Sequence, residues 1–358
     1  MNKLSAFLSL ICFLFCNCFA ALERDVCETT RIEAIAKITR DFKGGCKTQL
    51  TELRGGLSGA ELYTFEVSGK KYVLKVALKT ESQLRRVSEL QMHKFCSSRG
   101  IAPRLVFVDD EENPFIVVME YIDGRLFRFS DFQNKEIMDK VIGHLRNIHA
   151  AGTELCLTRV SMMEEASHFI EQLKQGEIEL PSEFDNWRQS LFESYKGIRR
   201  VESIPTHGDL WTKNILIAED ERVYFIDFQE SRYDDPLCDL AYFLYGSGLE
   251  DFEDIKAFTS KYLGEEADED SLKRVLFYVK ASAFINGLYR FLWIRDVKTS
   301  SRQLDEILSK VERNASFYYQ MGDYSKEEFD RLELEDKLKY VLGFFKSFLE
   351  IDAKLQAR

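Results

Sequence analysis

His207-Gly208-Asp209-Leu210-Trp211-Thr212-Lys213-Asn214, followed thirteen residues after Asn214 by Asp227-Phe228, is the stretch whose reading decides the fold. An Asp, an Asn five residues on and a second Asp beyond a short hairpin are the residue types that phosphoryl transfer requires. One carboxylate orients and deprotonates an attacking hydroxyl, while an amide oxygen and another carboxylate hold Mg²⁺ against a triphosphate. The apolar runs Ile215–Ile217 and Val223–Ile226 flank the turn Glu219-Asp220-Glu221 and read as a hairpin that sets Asn214 beside Asp227. An isolated Asp–Asn spacing would mean no more than a surface loop; the ordered set argues for chemistry.

Together with Ile226-Asp227-Phe228 and Asp239-Leu240-Ala241, these residues resemble the aminoglycoside phosphotransferase and choline/ethanolamine kinase superfamily, small-molecule kinases on a protein-kinase-like fold. The protein-kinase pattern itself is absent: Gly208 stands where Arg precedes the base, Gln229 follows Phe228 in place of Gly, and no Ala-Pro-Glu segment lies downstream. Choline kinases more often carry Asp-Phe-Glu, so Gln229 departs from that narrower pattern without touching Asp227. The resemblance implies an α+β, bilobal fold with a small antiparallel-sheet N-lobe and a mainly helical C-lobe, using ATP and Mg²⁺. It assigns catalysis to Asp209, Asn214 and Asp227, with Asn214 and Asp227 as metal ligands. Asp239 becomes a structural acid that opens a helix and holds the catalytic-loop backbone.

An N-terminal half of that type needs a phosphate-covering loop and a lysine. Arg54-Gly55-Gly56-Leu57-Ser58-Gly59-Ala60 lies between β-like runs Gln49–Leu53 and Glu61–Val67, so Gly55, Gly56, Ser58 and Gly59 are expected over the phosphates. Taken alone, such a run more commonly means a hairpin turn. Lys71–Ala77 resembles the strand that carries the phosphate-binding lysine, and Lys75 stands among Val73, Leu74, Val76 and Ala77, where an ammonium needs an anionic partner. Glu89 is the expected partner, with Glu81 as the alternative. Glu89 lies on an expected helix over Glu81–Arg99 whose apolar stripe is Leu84, Val87, Leu90, Met92 and Phe95. Strands at Arg104–Val108 and Phe115–Met119 follow. Met119-Glu120-Tyr121-Ile122-Asp123-Gly124 then resembles the hinge whose backbone, near Glu120 and Ile122, reads adenine. The expected domains are a leader over 1–20, a nucleotide-binding lobe over 21–121 and a helical catalytic and substrate lobe over 122–358.

Beyond the hinge, Lys135–Ala150, Met162–Gln175, Ser182–Arg199, Leu272–Trp293, Ser301–Met321 and Lys326–Leu355 read as helices. His149 reads as a packed or capping histidine. Ala281-Ser282-Ala283-Phe284-Ile285-Asn286-Gly287-Leu288-Tyr289 resembles the choline-pocket helix of choline/ethanolamine kinases. Ala283 replaces its His, and Asn286 and Tyr289 stand where tryptophans are expected. The expected acceptor is a small-molecule alcohol bound beside Asp209 by Trp211, Tyr289 and Trp293, whose rings suit an ammonium. Two ambiguities remain open: Trp211 either walls that site or packs beneath it, and Tyr289 and Trp293 either face the acceptor or pack one helix face. Loss of the tryptophans argues against choline itself and leaves ethanolamine-like or other amino alcohols open. An aminoglycoside or sugar phosphotransferase is the alternative, and a noncatalytic nucleotide- or protein-binding member is the reading from another class.

With 358 residues and 45% hydrophobic content, the chain can bury one core per lobe. A net charge of −11 and the lack of a basic patch with interleaved aromatics exclude nonspecific nucleic-acid binding. Met1-Asn2-Lys3, the apolar run Leu4–Phe15 and Cys16-Asn17-Cys18-Phe19-Ala20 form a secretory-leader pattern with a cut after Ala20, implying export. An uncleaved anchor, which alone would bring the chain to a membrane, and a start codon placed too early are the alternatives. Cys27, Cys46, Cys96, Cys156 and Cys238 show no disulfide framework or metal-ligand spacing.

Overall fold

Every second residue, Tyr63 and Phe65 in Glu61–Val67 and Tyr72, Leu74 and Val76 in Lys70–Ala77, is buried in one apolar cluster, and both segments are strands of an antiparallel sheet. The protein is seen here as a computed structural model that describes residues 50–53, 60–67, 69–77, 83–109, 115–249, 251–294, 299–312 and 326–356. The leader, Gly55, Gly56, Ser58, Gly59 and Glu81 lie outside the described residues. The chain divides into two compact units, residues 1–82 with 104–121 and residues 83–103 with 122–358.

In the first unit, β1 (Thr51–Glu52), β2 (Glu61–Val67), β3 (Lys70–Ala77), β4 (Leu105–Asp109) and β5 (Phe115–Glu120) pair antiparallel in the order β1-β2-β3-β5-β4. Tyr63, Phe65, Tyr72, Leu74, Val76, Ile116 and Val118 form its core on one face. Lys75 is paired with Leu62 and Val117, so it points to the other face, yet it is only 6% exposed.

The second unit begins with α1 (Gln83–Ser98). Met92 and Cys96 of this helix are fully buried with Ile101 and Ala102 in the larger core, so residues 83–103 fall in this unit rather than with the rest of 21–121. Leu84 leaves the expected apolar stripe and stands 51% exposed. Next come β6 (Gly124–Leu126), α2 (Lys135–His149), α3 (Met162–Gln175) and α4 (Phe184–Gly197). The short strands β7 (Ile204–Thr206), β8 (Ile215–Ala218), β9 (Val223–Phe225) and β10 (Arg232–Asp234) follow. They pair as β6-β8-β9 and β7-β10. The chain closes with α5 (Leu237–Gly246), α6 (Phe252–Leu263), α7 (Glu269–Phe291), α8 (Ser301–Lys310), α9 (Lys326–Asp330) and α10 (Leu334–Gln356).

Capping explains several boundaries. Asn134 caps α2 through the amides of Glu136 and Ile137, and Ser161 with Glu164 forms a capping box on α3. The helix expected over Lys326–Leu355 is two helices, broken between Asp330 and Leu334. The helix expected from Ser301 ends at Lys310, where Val311 turns extended. α7 is buried around most of its circumference, packed by α5 and α10, as befits a helix at the centre of a helical unit. Among the described residues no helix is long and apolar enough to cross a membrane.

Candidate active site

The loop after β7 is shaped by one buried acid. Asp239, in the first turn of α5 and fully buried, accepts the backbone amides of His207 at 2.7 Å and Gly208 at 2.8 Å. Its Oδ2 also lies 3.0 Å from His149 Nε2, and His149 Nδ1 lies 2.7 Å from the Tyr262 hydroxyl. Burial pushes the Asp239 carboxyl up. The hydrogen bond of His149 and the Gly208 amide outweigh that and hold it below its ordinary range. His207 is driven toward the neutral form by burial, against the pull of Asp239. A neutral ring fits its contacts: Nε2 donates to the Ile226 carbonyl at 3.0 Å, and Nδ1 accepts the Asp209 amide at 3.3 Å. Gly208 sits at φ +83°, and a Cβ there would come within 1.9 Å of the Glu230 carbonyl oxygen. A side chain at this position, including the arginine of protein kinases, is therefore excluded twice over.

Asp209 and Asn214 are locked together. Asn214 Nδ2 donates to the Asp209 carbonyl at 2.8 Å and to its Oδ2 at 3.1 Å. The β8–β9 hairpin pairs Ile215 with Phe225, and the Ile226 amide donates to the Asn214 carbonyl at 2.9 Å. Asp227 therefore leaves the hairpin beside Asn214. It does so at φ 63°, the left-handed region that Asp tolerates better than most residues. Among the described residues no group of three or more His, Cys, Asp or Glu is disposed to hold a metal ion. Asn214 and Asp227 are two hard oxygen donors of the kind Mg²⁺ takes when the remaining positions are filled by water and phosphate.

The Asp209 carboxyl is pushed up to about 7, chiefly by burial and then by the charges of Asp227 and Glu230, with Arg290 acting in the opposite sense and Glu165 adding to the rise. Glu165 of α3 and Glu230 had no signal in the sequence. Glu165 is remote along the chain, and Glu230 reads as an unremarkable residue after Asp227-Phe228-Gln229. Each is held by a guanidinium: Arg232 Nη1 lies 2.7 Å from Glu165 Oε2, and Arg85 of α1 pairs with Glu230. Glu230 is shifted upward by burial and by Glu165, with Arg85 and Arg232 opposing.

Other expected site residues fall as follows. Lys75 is buried on β3 of the first unit, and Glu89, 5% exposed, is on α1 of the second. The Glu120 amide is taken by the Arg104 carbonyl at 2.9 Å and its carboxylate by the Arg104 guanidinium at 2.6 Å. Ile122 is half-buried just ahead of β6. Trp211 packs beneath the loop rather than walling an open site. It is 9% exposed, edge-on to Tyr245 at 5.8 Å and Tyr242 at 6.3 Å, and close enough to Gly246 that a Cβ there would come within 2.7 Å of its ring. Tyr289 and Trp293 pack edge-on at 5.6 Å, with Tyr289 against Phe169 and Trp293 against Phe329. The cation their faces meet is the chain's own Arg290.

Residues 50–273, more than half of the chain, match the phosphotransferase enzyme family, APH. A protein LicA homolog of Metamycoplasma hominis is 27% identical over 217 residues, covering 53% of this chain and 83% of that protein. The fold is similar to that of the choline kinase LicA from Streptococcus pneumoniae, with a TM-score of 0.62 at 19% identity over 89% of this chain and 98% of the other. A choline/ethanolamine kinase family protein from Mesorhizobium loti aligns with a TM-score of 0.61 at 17% identity, covering 90% and 99% of the two chains. The motif from His207 to Asp239 and the antiparallel-sheet and helical architecture around it have the same explanation: this chain belongs to the phosphotransferase enzyme family.

Proposed function

We propose that the protein is an ATP- and Mg²⁺-dependent kinase that transfers the γ-phosphoryl group to the hydroxyl of a small amino alcohol. The observation that carries this reading is the Asn214 side-chain amide donating to the backbone carbonyl and to Oδ2 of Asp209, with Asp227 delivered beside it by the hairpin. In this reading Asp209 Oδ accepts the hydroxyl proton as the oxygen attacks phosphorus. The Asn214 Nδ2 contact holds that carboxylate in place, and the Asn214 Oδ1 and Asp227 carboxylate hold the cation. Mg²⁺ supplies charge neutralisation on the phosphate oxygens. Lys75, Glu89 and the loop of Gly55, Gly56, Ser58 and Gly59 keep the nucleotide roles expected from the sequence, as do the backbones of Glu120 and Ile122. The nucleotide-binding segment is taken as residues 21–121, of which 83–103 pack in the second unit, and the catalytic segment as 122–358.

The carboxylates around Asp209 support a cationic acceptor. Asp227, Glu230 and Glu165 all raise its proton affinity, with Arg290 opposing. An ammonium arriving there offsets that excess, and likeness to choline/ethanolamine kinases points the same way. An aminoglycoside would meet the same acids, and kinases of that class share the fold. The test is a phosphoryl-transfer assay with ATP, Mg²⁺ and ethanolamine, choline, an aminoglycoside and a hexose. Turnover of an amino alcohol is the expected result. Phosphorylation of the hexose alone would overturn the acceptor assignment, and nucleotide binding without turnover of any alcohol would leave a noncatalytic member of the family.

A further inference from the structure

Helix α7 carries three buried cations, and they are neutralised in two different ways. Arg274 Nε pairs with Asp235 at 2.9 Å, and Lys280 pairs with Asp352 at 2.8 Å. Arg290 is 4% exposed and makes no ion pair with any carboxylate of the described residues. Its Nη1 donates to Asn286 Oδ1 at 2.9 Å, and its Nε has no hydrogen-bond acceptor among the described residues. The guanidinium lies instead over the rings of Tyr289, Trp293 and Phe344, at 5.4, 5.2 and 5.0 Å from their centroids. Ring faces attract a desolvated cation, and guanidinium suits them better than ammonium because it is planar and weakly hydrated. The rings are braced: Tyr289 against Trp293 at 5.6 Å, Trp293 against Phe329 at 5.2 Å, and Phe344 against Tyr340 at 5.4 Å.

We propose that Tyr289, Trp293 and Phe344 form a cation cage whose permanent occupant is the protein's own Arg290, which closes the cage to free ammonium and guanidinium ligands. Arg290 is then a specificity-determining residue. An acceptor's ammonium is left to the carboxylates of Glu165 and Glu230, a consequence that rests on the phosphotransferase reading, whereas the occupancy of the cage does not.

The test uses the full chain and reads binding without turnover. Wild type, Arg290→Ala and Arg290→Lys are titrated by calorimetry with tetramethylammonium, methylguanidinium and 3,3-dimethylbutan-1-ol, the neutral isostere of choline. Any cation held at the acceptor site is common to all three proteins, so the cage is read as an additional site. Wild type and Arg290→Lys are expected to show no such site. Arg290→Ala should take both cations there in the millimolar range and the isostere at least about tenfold more weakly. Absence of an additional site in a folded Arg290→Ala protein, or equal affinity of that site for all three ligands, overturns the proposal, as does the same additional site in wild type. If Arg290→Ala folds poorly, methylguanidinium should restore its folded yield and the isostere should not; failure of that rescue also overturns it. A negative cage result leaves phosphotransfer untouched, and an inactive enzyme with a positive cage result leaves the cage standing.

Discussion

The loop from His207 to Asp239 and the stretch from Asn286 to Trp293 at the end of α7 both bury charge, and they stabilise it by different means. In the loop, carboxylates are held by backbone amides and short polar contacts: Asp239 by His207 and Gly208, Asp209 by Asn214. On α7 the Arg290 charge is held mainly by ring faces, with one hydrogen bond to Asn286. Hydrogen bonds to a carboxylate fix where its oxygens point, which a proton acceptor needs. Ring faces fix a cation loosely in direction and firmly in place, which suits occupancy better than chemistry. The loop thus has the kind of fixed carboxylate that the proposed chemistry needs, and the end of α7 the kind of packing that the proposed filled cage needs.

The largest expected effect lies in the loop. Asp209→Asn should lower kcat by about 10²–10⁴-fold with nucleotide affinity kept, measured by steady-state kinetics and nucleotide titration. Wild-type turnover in this variant would remove Asp209 from the chemistry. The same substitution should stabilise the fold. Asp209 in the native state is pushed up to about 7 from 3.8, so the folded protein binds the extra proton between those values and loses stability as pH rises through them. Above that window Asn relieves the cost, by roughly 1–3 kcal/mol once partial exposure of the carboxyl is allowed for, and urea denaturation at pH 8 reads it.

Next in size is Asp239→Ala, which leaves the amides of His207 and Gly208 and the His149 ring without their acceptor. A loss of about 3–5 kcal/mol of stability is expected by urea denaturation, with activity falling as the loop loosens. A cost under about 1 kcal/mol would show that the loop is held from elsewhere.

How legible each region was follows from the same contrast. Asp209, Asn214 and Asp227 could be read from the chain because a hairpin ties their spacing to their geometry. The strands β2 and β3 could be read because alternate residues bury one face. The span of α3 was legible through its amphipathic pattern over Met162–Gln175. The break between α9 and α10 was not, since neither Pro nor Gly marks Arg331, Leu332 or Glu333. Glu165, Glu230 and Arg290 were missed because their relation to Asp209 exists only once α3, α7 and the β10 approach are packed. Tyr289 and Trp293 were legible as aromatic and open in role, because helical spacing says which face they share and not what that face meets.

A smaller effect probes an electrostatic link between the two regions. As a base, Asp209 must be ionised, so kcat/KM should fall as pH drops below about 7. Arg290 pulls that midpoint down, so Arg290→Gln should move it upward by a fraction of a unit. An unchanged or lowered midpoint in the pH–rate profile would sever the two regions electrostatically.

The smallest effect is the one that separates a filled cage from an acceptor pocket. If Tyr289 walled the acceptor site, removing its ring would forfeit cation–π attraction of about 0.5–2 kcal/mol and raise the acceptor KM by up to about thirtyfold. The ring is instead engaged with Arg290 at 5.4 Å, Trp293 at 5.6 Å and Phe169 at 5.7 Å. Tyr289→Ala should then cost about 1–3 kcal/mol of stability through lost packing, while the acceptor KM changes by less than about threefold. Both quantities come from one variant, by denaturation and by steady-state kinetics. A KM rise near thirtyfold with stability unchanged would mean that the acceptor reaches the ring and that Arg290 gives way to it.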